Sequence, residues 1–207
     1  MSKRRKKRKA ITIDKWRNKN WFSVYSPDFF GSVEIAQIPS SADVLGRTIE
    51  TTLYDITRDF LQTHIKMYFK VDKIEGNNAH TKFWGHDFTR DYLRSLVRRT
   101  TSQIKGIFNI FIKADKSDSA GTYKIRVTAV VFTQKRAKTS QQKAIRTIMQ
   151  QIIEEKSQQL TYKEFIQECI LGKLGSDIYN EAKMIYPIRK SEIMKTKIVT
   201  EPVASAS

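Results

Sequence analysis

Through most of the middle of the chain, from Arg47 to Trp84 and again from Ile107 to Phe132, apolar and polar positions alternate with the period of extended chain. In Arg47–Ile56 the residues Ile49, Thr51 and Leu53 share a face, and in Thr63–Ile74 the inward set is Ile65, Met67, Phe69 and Val71, the spacing of half-buried strands. The polar Glu75–Asn78 is a turn signal leading into another strand, Ala79–Trp84. Ile107–Ala114 and Thr122–Phe132 flank the polar Asp115–Gly121. The second run points Tyr123, Ile125, Val127, Ala129 and Val131 inward against Lys124, Arg126 and Thr128, so a long hairpin is expected.

Two stretches carry helical spacing instead. With Asp87 as N-cap after the breaker Gly85, a helix is expected from Phe88 to Lys105, ended by Gly106. Leu93, Leu96, Val97 and Ile104 would form its stripe, and Arg90, Arg94 and Arg98 would climb the flank at i, i+4 and i+8, followed by Arg99. Beyond Thr133 three helices are expected. One spaces Ile145, Ile148, Met149, Ile152 and Ile153 on a single face and starts at Thr139 or Ser140. The second opens with Thr161 and Glu164 as a capping box and stops at Gly172, and the third is capped by Ser176 and ends before Pro187. The pattern predicts an α+β fold: a mixed or antiparallel, barrel-like central sheet with packed helices, a helical C-terminal part and a disordered basic N-terminal arm. Residues 1–20 form the arm, 21–199 a single domain and 200–207 a loose tail.

A chain of 207 residues can bury a sizeable core without staples. The single cysteine, Cys169, leaves no intramolecular disulfide and no zinc-ligand cluster. No apolar run approaches a membrane span, and no apolar stretch of a signal peptide follows the basic N-terminus, so a cytoplasmic chain with no membrane contact is expected.

Charge changes the picture most. The net charge is +17, and the first 19 residues hold ten Lys or Arg against Asp14 alone. Lys3, Arg4, Arg5, Lys6, Lys7, Arg8 and Lys9 run without interruption and have nothing apolar to bury, so this segment should order only against a polyanion. Lys15, Arg17 and Lys19 alternate with Trp16, Trp21, Phe22 and Tyr25, aromatics that either stack on unpaired bases or open the core. Lys135, Arg136, Lys138, Lys143 and Arg146 follow with no acid among them, where a hairpin strand passes into a helix. Basic regions at several places suit folded RNA better than a duplex, because no helix-turn-helix, zinc finger or RRM signature is present.

A hydrolase reading would use His86 with Asp87 or Asp91. His64 and His80 have no spacing that joins them to His86, and phosphate loops and nucleophile or zinc motifs are absent. Capping and packing are the expected roles of Asp87 and His86; neither catalytic residue nor metal nor cofactor is expected.

Leu45–Ile56 sets Gly46, Arg47, Glu50, Leu53 and Asp55 in one strand. A Phe-x-Gly-x-Asp-x-Thr-Arg-Asp segment follows at Phe83, Gly85, Asp87, Thr89, Arg90 and Asp91, and then come Phe132–Arg136 and Ile185–Lys190. In these four segments and their order the chain resembles the eS-one, or S-three-Ae, family of small-subunit ribosomal proteins of archaea and eukaryotes, Leu45–Ile56 being similar to the family's signature strand. The resemblance spans about Trp21 to Val199. It implies a structural constituent of the small subunit that performs no reaction, bound to small-subunit rRNA and neighbouring ribosomal proteins on the platform, with mRNA at the exit as a further partner. Arg189 and Lys190 join the RNA-binding set on this ground. Eukaryotic members are longer at the C-terminus and after the Phe-Thr-x-Lys-Arg segment, so the shorter form looks archaeal and contacts of the longer loop are not carried to Ala137–Gln142. A free RNA-binding or subunit-assembly factor needs the same basic surface and is the alternative.

Overall fold

A computed structural model describes residues 16, 19–40, 44–114 and 121–202. Lys3–Lys9, Lys15 and Arg17 lie outside them, and so does the end of the tail from Val203.

The strands are β1 (Asn20–Tyr25), β2 (Glu34–Ser40), β3 (Thr48–Thr52), β4 (Ile65–Glu75), β5 (Asn78–Phe88), β6 (Gln103–Lys113), β7 (Thr122–Thr133) and β8 (Ile188–Thr200). They form one eight-stranded sheet in the order β2-β1-β5-β8-β7-β6, with β4 on the other side of β5 and β3 beyond it. All pairings are antiparallel except β1 with β5, which run parallel from Ser23 opposite Asn78 to Tyr25 opposite His80. The sheet is open: β2, β3 and β6 are its free edges among the described residues, so the expected barrel does not close.

Most of the alternation read from the sequence is realised. Ile65, Met67, Phe69 and Val71 are buried along β4, and Ile125, Val127, Ala129 and Val131 along β7. The β6–β7 hairpin pairs from Gln103 opposite Phe132 to Lys113 opposite Thr122. The strand expected over Arg47–Ile56 stops early, because Asp55 folds back on its own start. Its Oδ2 accepts from the Thr52 N–H at 3.0 Å and from the Thr51 and Thr52 hydroxyls at 2.9 and 2.8 Å, which converts Leu53–Thr57 into the short helix α1.

The largest correction concerns the helix expected over Phe88–Lys105. Only α2 (Arg90–Leu96) is helical, with Thr89 as its N-cap. Asp87 and Phe88 are still in β5, and Gln103, Ile104, Lys105 and Gly106 already belong to β6. Two features hid the alternation of β6: Ile107 and Phe111 point outward although apolar, and Gly106 points inward without a side chain. A Cβ at Gly106 would meet the Phe108 ring at 2.4 Å and the Met149 methyl at 3.3 Å.

The remaining helices are α3 (Thr139–Gln159), α4 (Tyr162–Ile170) and α5 (Lys173–Ala182). The Thr161–Glu164 capping box is present, with the Thr161 N–H donating to Glu164 at 3.0 Å. Lys138 rather than Thr139 or Ser140 is the N-cap of α3, its N–H donating to the Gln141 side chain at 3.0 Å. α5 starts four residues earlier than a cap at Ser176 would place it, because Gly172 takes the left-handed conformation and serves both as the stop of α4 and as the next N-cap. α3 packs on β6, and α5 on β8 and α3. Their apolar faces and the inward sheet residues build the main core, in which Phe69, Phe83 and Phe165 are fully buried, each worth about 1.5–3 kcal/mol of burial. The expected helical C-terminal part is therefore followed by a strand: β8 inserts between β5 and β7 and holds the halves of the sheet together.

Candidate nucleic-acid interface

Three of the basic stretches meet at one end of the β6–β7–β8 blade. Because β6 begins at Gln103 opposite Phe132, the residues just outside the hairpin, Ser102 and Thr133, face each other. The Thr133 N–H donates to the Ser102 carbonyl at 3.0 Å, and the Ser102 N–H donates to the Thr133 hydroxyl oxygen at 2.9 Å. The Ala137 N–H donates to Ser102 Oγ at 3.0 Å. From the β8 side, the Pro187 carbonyl accepts from the Gln134 N–H at 3.0 Å, and the Tyr186 hydroxyl donates to the Arg136 carbonyl at 3.3 Å. Three loops are thus fastened together: the one carrying Arg98 and Arg99, the one carrying Lys135, Arg136 and Lys138, and the one leading into Arg189 and Lys190.

The five cations of the first two loops are exposed, and none has a carboxylate partner among the described residues. Like charges held together by hydrogen-bonded backbone raise the local potential unless an anion neutralises them. Arg90 and Arg94 lie apart from this cluster on exposed α2, where Arg94 comes only within 4.0 Å of Asp91; Arg98 has left the helix, so the expected row of three is two. Lys143 is exposed on α3, while Arg146 spends its Nε on the Lys105 carbonyl at 3.0 Å. Lys19 lies over the Trp16 ring, 4.1 Å from its centroid.

The last two cations differ in kind. Lys190 Nζ donates to the Tyr92 hydroxyl at 2.5 Å and lies 3.0 Å from Glu192. Burial opposes its charge, but these hydrogen bonds hold the ammonium above the ordinary lysine range. Arg189 lies where the β7–β8 register slips, between the pairs Phe132–Lys190 and Thr133–Ile188. Its guanidinium carbon is 5.9 Å from the Phe132 ring centre, and both Nη atoms are buried without a hydrogen-bond partner.

His86 is 1% exposed near the C-terminal end of β5. The Ile193 carbonyl, 3.1 Å from Nε2, can only accept, so Nε2 carries the proton and Nδ1 accepts from the Thr196 hydroxyl at 2.7 Å. Desolvation pushes the ring's pKa down to about 4. Asp87 pairs with Lys195 at 2.7 Å and Asp91 is exposed. His64 stacks on Tyr92 and His80 on Tyr25. His86, Asp87 and Asp91 therefore diverge, and no group of three metal-ligating side chains occurs among the described residues.

The convergence of the loops was absent from the sequence reading, although the hairpin register contains it: counting back from the turn sets Ser102 opposite Thr133. The helix assigned through Lys105 concealed it.

Comparison with known proteins matches residues 5–202 to the Ribosomal S3Ae family. The chain is 46% identical over 202 residues to small ribosomal subunit protein eS1 of Archaeoglobus fulgidus, covering 96% of this chain and 92% of that protein. It is 44% identical over 198 residues to eS1 of Desulfurococcus amylolyticus, covering 95% and 90%. With eS1 of Aeropyrum pernix the identity is 44% over 195 residues, covering 91% and 88%.

Proposed function

The chain belongs to the Ribosomal S3Ae family, and from that membership we propose that it is a structural constituent of the small ribosomal subunit that grips folded rRNA and catalyses nothing. The observation that supports rRNA contact is the hydrogen-bonded convergence of loops carrying Arg98, Arg99, Lys135, Arg136 and Lys138 without internal counter-charge. A protein alone in water keeps such a cluster at a cost in self-repulsion; a phosphate backbone removes that cost and releases its own counterions. Arg90 and Arg94 on α2 and Lys143 and Arg146 on α3 extend the contact, and the Lys3–Lys9 arm threads along neighbouring rRNA. The open sheet supplies the rigid frame. Neighbouring small-subunit proteins are its other partners, and the place in the particle is the platform beside the mRNA exit.

Sucrose-gradient sedimentation of native lysate in low and then high salt tests this reading. Stoichiometric travel with small subunits through a moderate salt wash is the expected result. A protein at the top of the gradient, or on immature particles alone, would be an assembly factor and not a constituent.

A further inference from the structure

Between α2, the α4–α5 turn and the bulged start of β8 lies a groove of about 630 Å³. We propose that it holds one phosphate of an unpaired stretch of RNA, with the attached base on the Tyr92–His64 platform; this rests on the reading that the partner is rRNA.

The bulge at Arg189 takes this residue out of the β7 ladder, a distortion that re-aims a side chain. Arg189 lines the groove, and both Nη atoms of its guanidinium are buried without a partner. Two residues on, Ser191 lines the same groove, is 8% exposed, and its Oγ has no partner either. Buried polar groups are almost always satisfied, and a buried guanidinium without acceptors is costly. These donors have no acceptor among the described residues, a want that an anion entering the groove would meet. α5 begins at the same wall on Gly172, with no side-chain cap and open space beside its Cα, and its first N–H groups add a positive end. Glu192 also lines the groove, but Lys190 lies 3.0 Å from its carboxylate, which leaves Arg189 as the uncompensated charge.

The planar fork of an arginine fits phosphate and carboxylate alike. The neighbouring wall favours phosphate on RNA. Tyr92 and His64 stack with centroids 3.8 Å apart and planes at 29°, both partly exposed, a surface suited to an unstacked base. The volume takes one nucleotide, whereas a duplex cannot enter.

The experiment uses the full-length protein, its own small-subunit rRNA, and the variants Arg189→Met and Arg189→Lys. Without RNA, Arg189→Met should unfold at the same temperature as the wild type or higher, because an unsatisfied buried charge has gone. Its log-log salt slope for rRNA binding should fall by about 0.7 to 0.9, the share of one phosphate. Arg189→Lys should keep that slope and bind several-fold more weakly, having lost the fork. In the wild type, rRNA should slow amide hydrogen exchange at Gly172–Ser176 and Tyr92, and Arg189→Met should abolish this protection. Tight binding by the wild type with those amides unprotected, or protection that appears only when a neighbouring protein is added, overturns the groove and leaves rRNA binding standing. No rRNA binding by the wild type overturns both. If Arg189→Met does not fold, the wild-type exchange comparison decides.

Discussion

His86 is the clearest single-residue consequence of β8 crossing β5. Thr196 and Ile193 on β8 occupy both ring nitrogens, and burial keeps the imidazole neutral down to about pH 4, with the Ile193 carbonyl and Asp87 opposing that shift and Lys195 adding to it. Unfolded, the same ring titrates near 6.5. Below that pH the unfolded chain takes up a proton that the folded chain refuses, so stability is full above about 6.5 and declines toward 4. The His86 share of the decline is roughly 3 kcal/mol. Urea unfolding between pH 7.5 and 4.5 should show His86→Gln, which keeps a donor for the Ile193 carbonyl, losing less stability over this range than the wild type; parallel losses would refute the assignment. Gly85, read from the sequence as a breaker before a helix, marks the same crossing: a Cβ there would stand 2.5 Å from the Thr196 carbonyl oxygen. Gly85→Ala should cost about 1–3 kcal/mol in the same assay. The packing role expected for His86 holds, but the strand that packs on it was invisible from its neighbours in sequence.

That strand is where element-level reading failed. Buried positions in β8 fall at Ile188, Ser191, Ile193, Thr196 and Ile198, a pattern broken twice by steps of three where its register against β7 slips. Period-two reading needs apolar residues at alternate positions, and β4 with Ile65, Met67, Phe69 and Val71 and β7 with Ile125, Val127, Ala129 and Val131 supply them; α3 and α4, with regular stripes and a capping box, were equally legible. β8 serves two partners: it pairs with β7 for nearly its whole length and with β5 at Gly85–Asp87. No other pairing links the β6–β7 hairpin to the rest of the sheet among the described residues. A chain truncated after Pro187 should therefore lose cooperative unfolding and near-ultraviolet circular dichroism, while one truncated after Pro202 keeps both. A cooperative transition in the shorter chain would mean that α3–α5 and the hairpin fold without the seam.

At the scale of the whole molecule, the net charge of +17 was legible as a polyanion signal, but its distribution follows from topology. Sequence order separates Arg98 and Arg99 from Lys135–Lys138 by a hairpin, and Tyr186–Lys190 from both by three helices; closing the hairpin and inserting β8 returns all three to one end. The arrangement makes a prediction that composition alone does not. Replacing Arg98, Arg99 and Arg136 with Gln should lower the log-log salt slope of rRNA binding by about 2 to 3, three phosphates at roughly 0.7 to 0.9 each. Replacing the exposed Lys73, Lys163 and Lys183, outside those fastened loops, removes the same charge and should lower the slope by less than one. Thermal unfolding of the free protein separates this from a folding defect, since thinning a like-charged cluster should leave the midpoint unchanged or raise it. Equal slope changes for the two sets would mean that bulk charge alone recruits the RNA. A large difference ties recognition to the end of the blade where the hydrogen bonds of Ser102 and Thr133 hold the cations together.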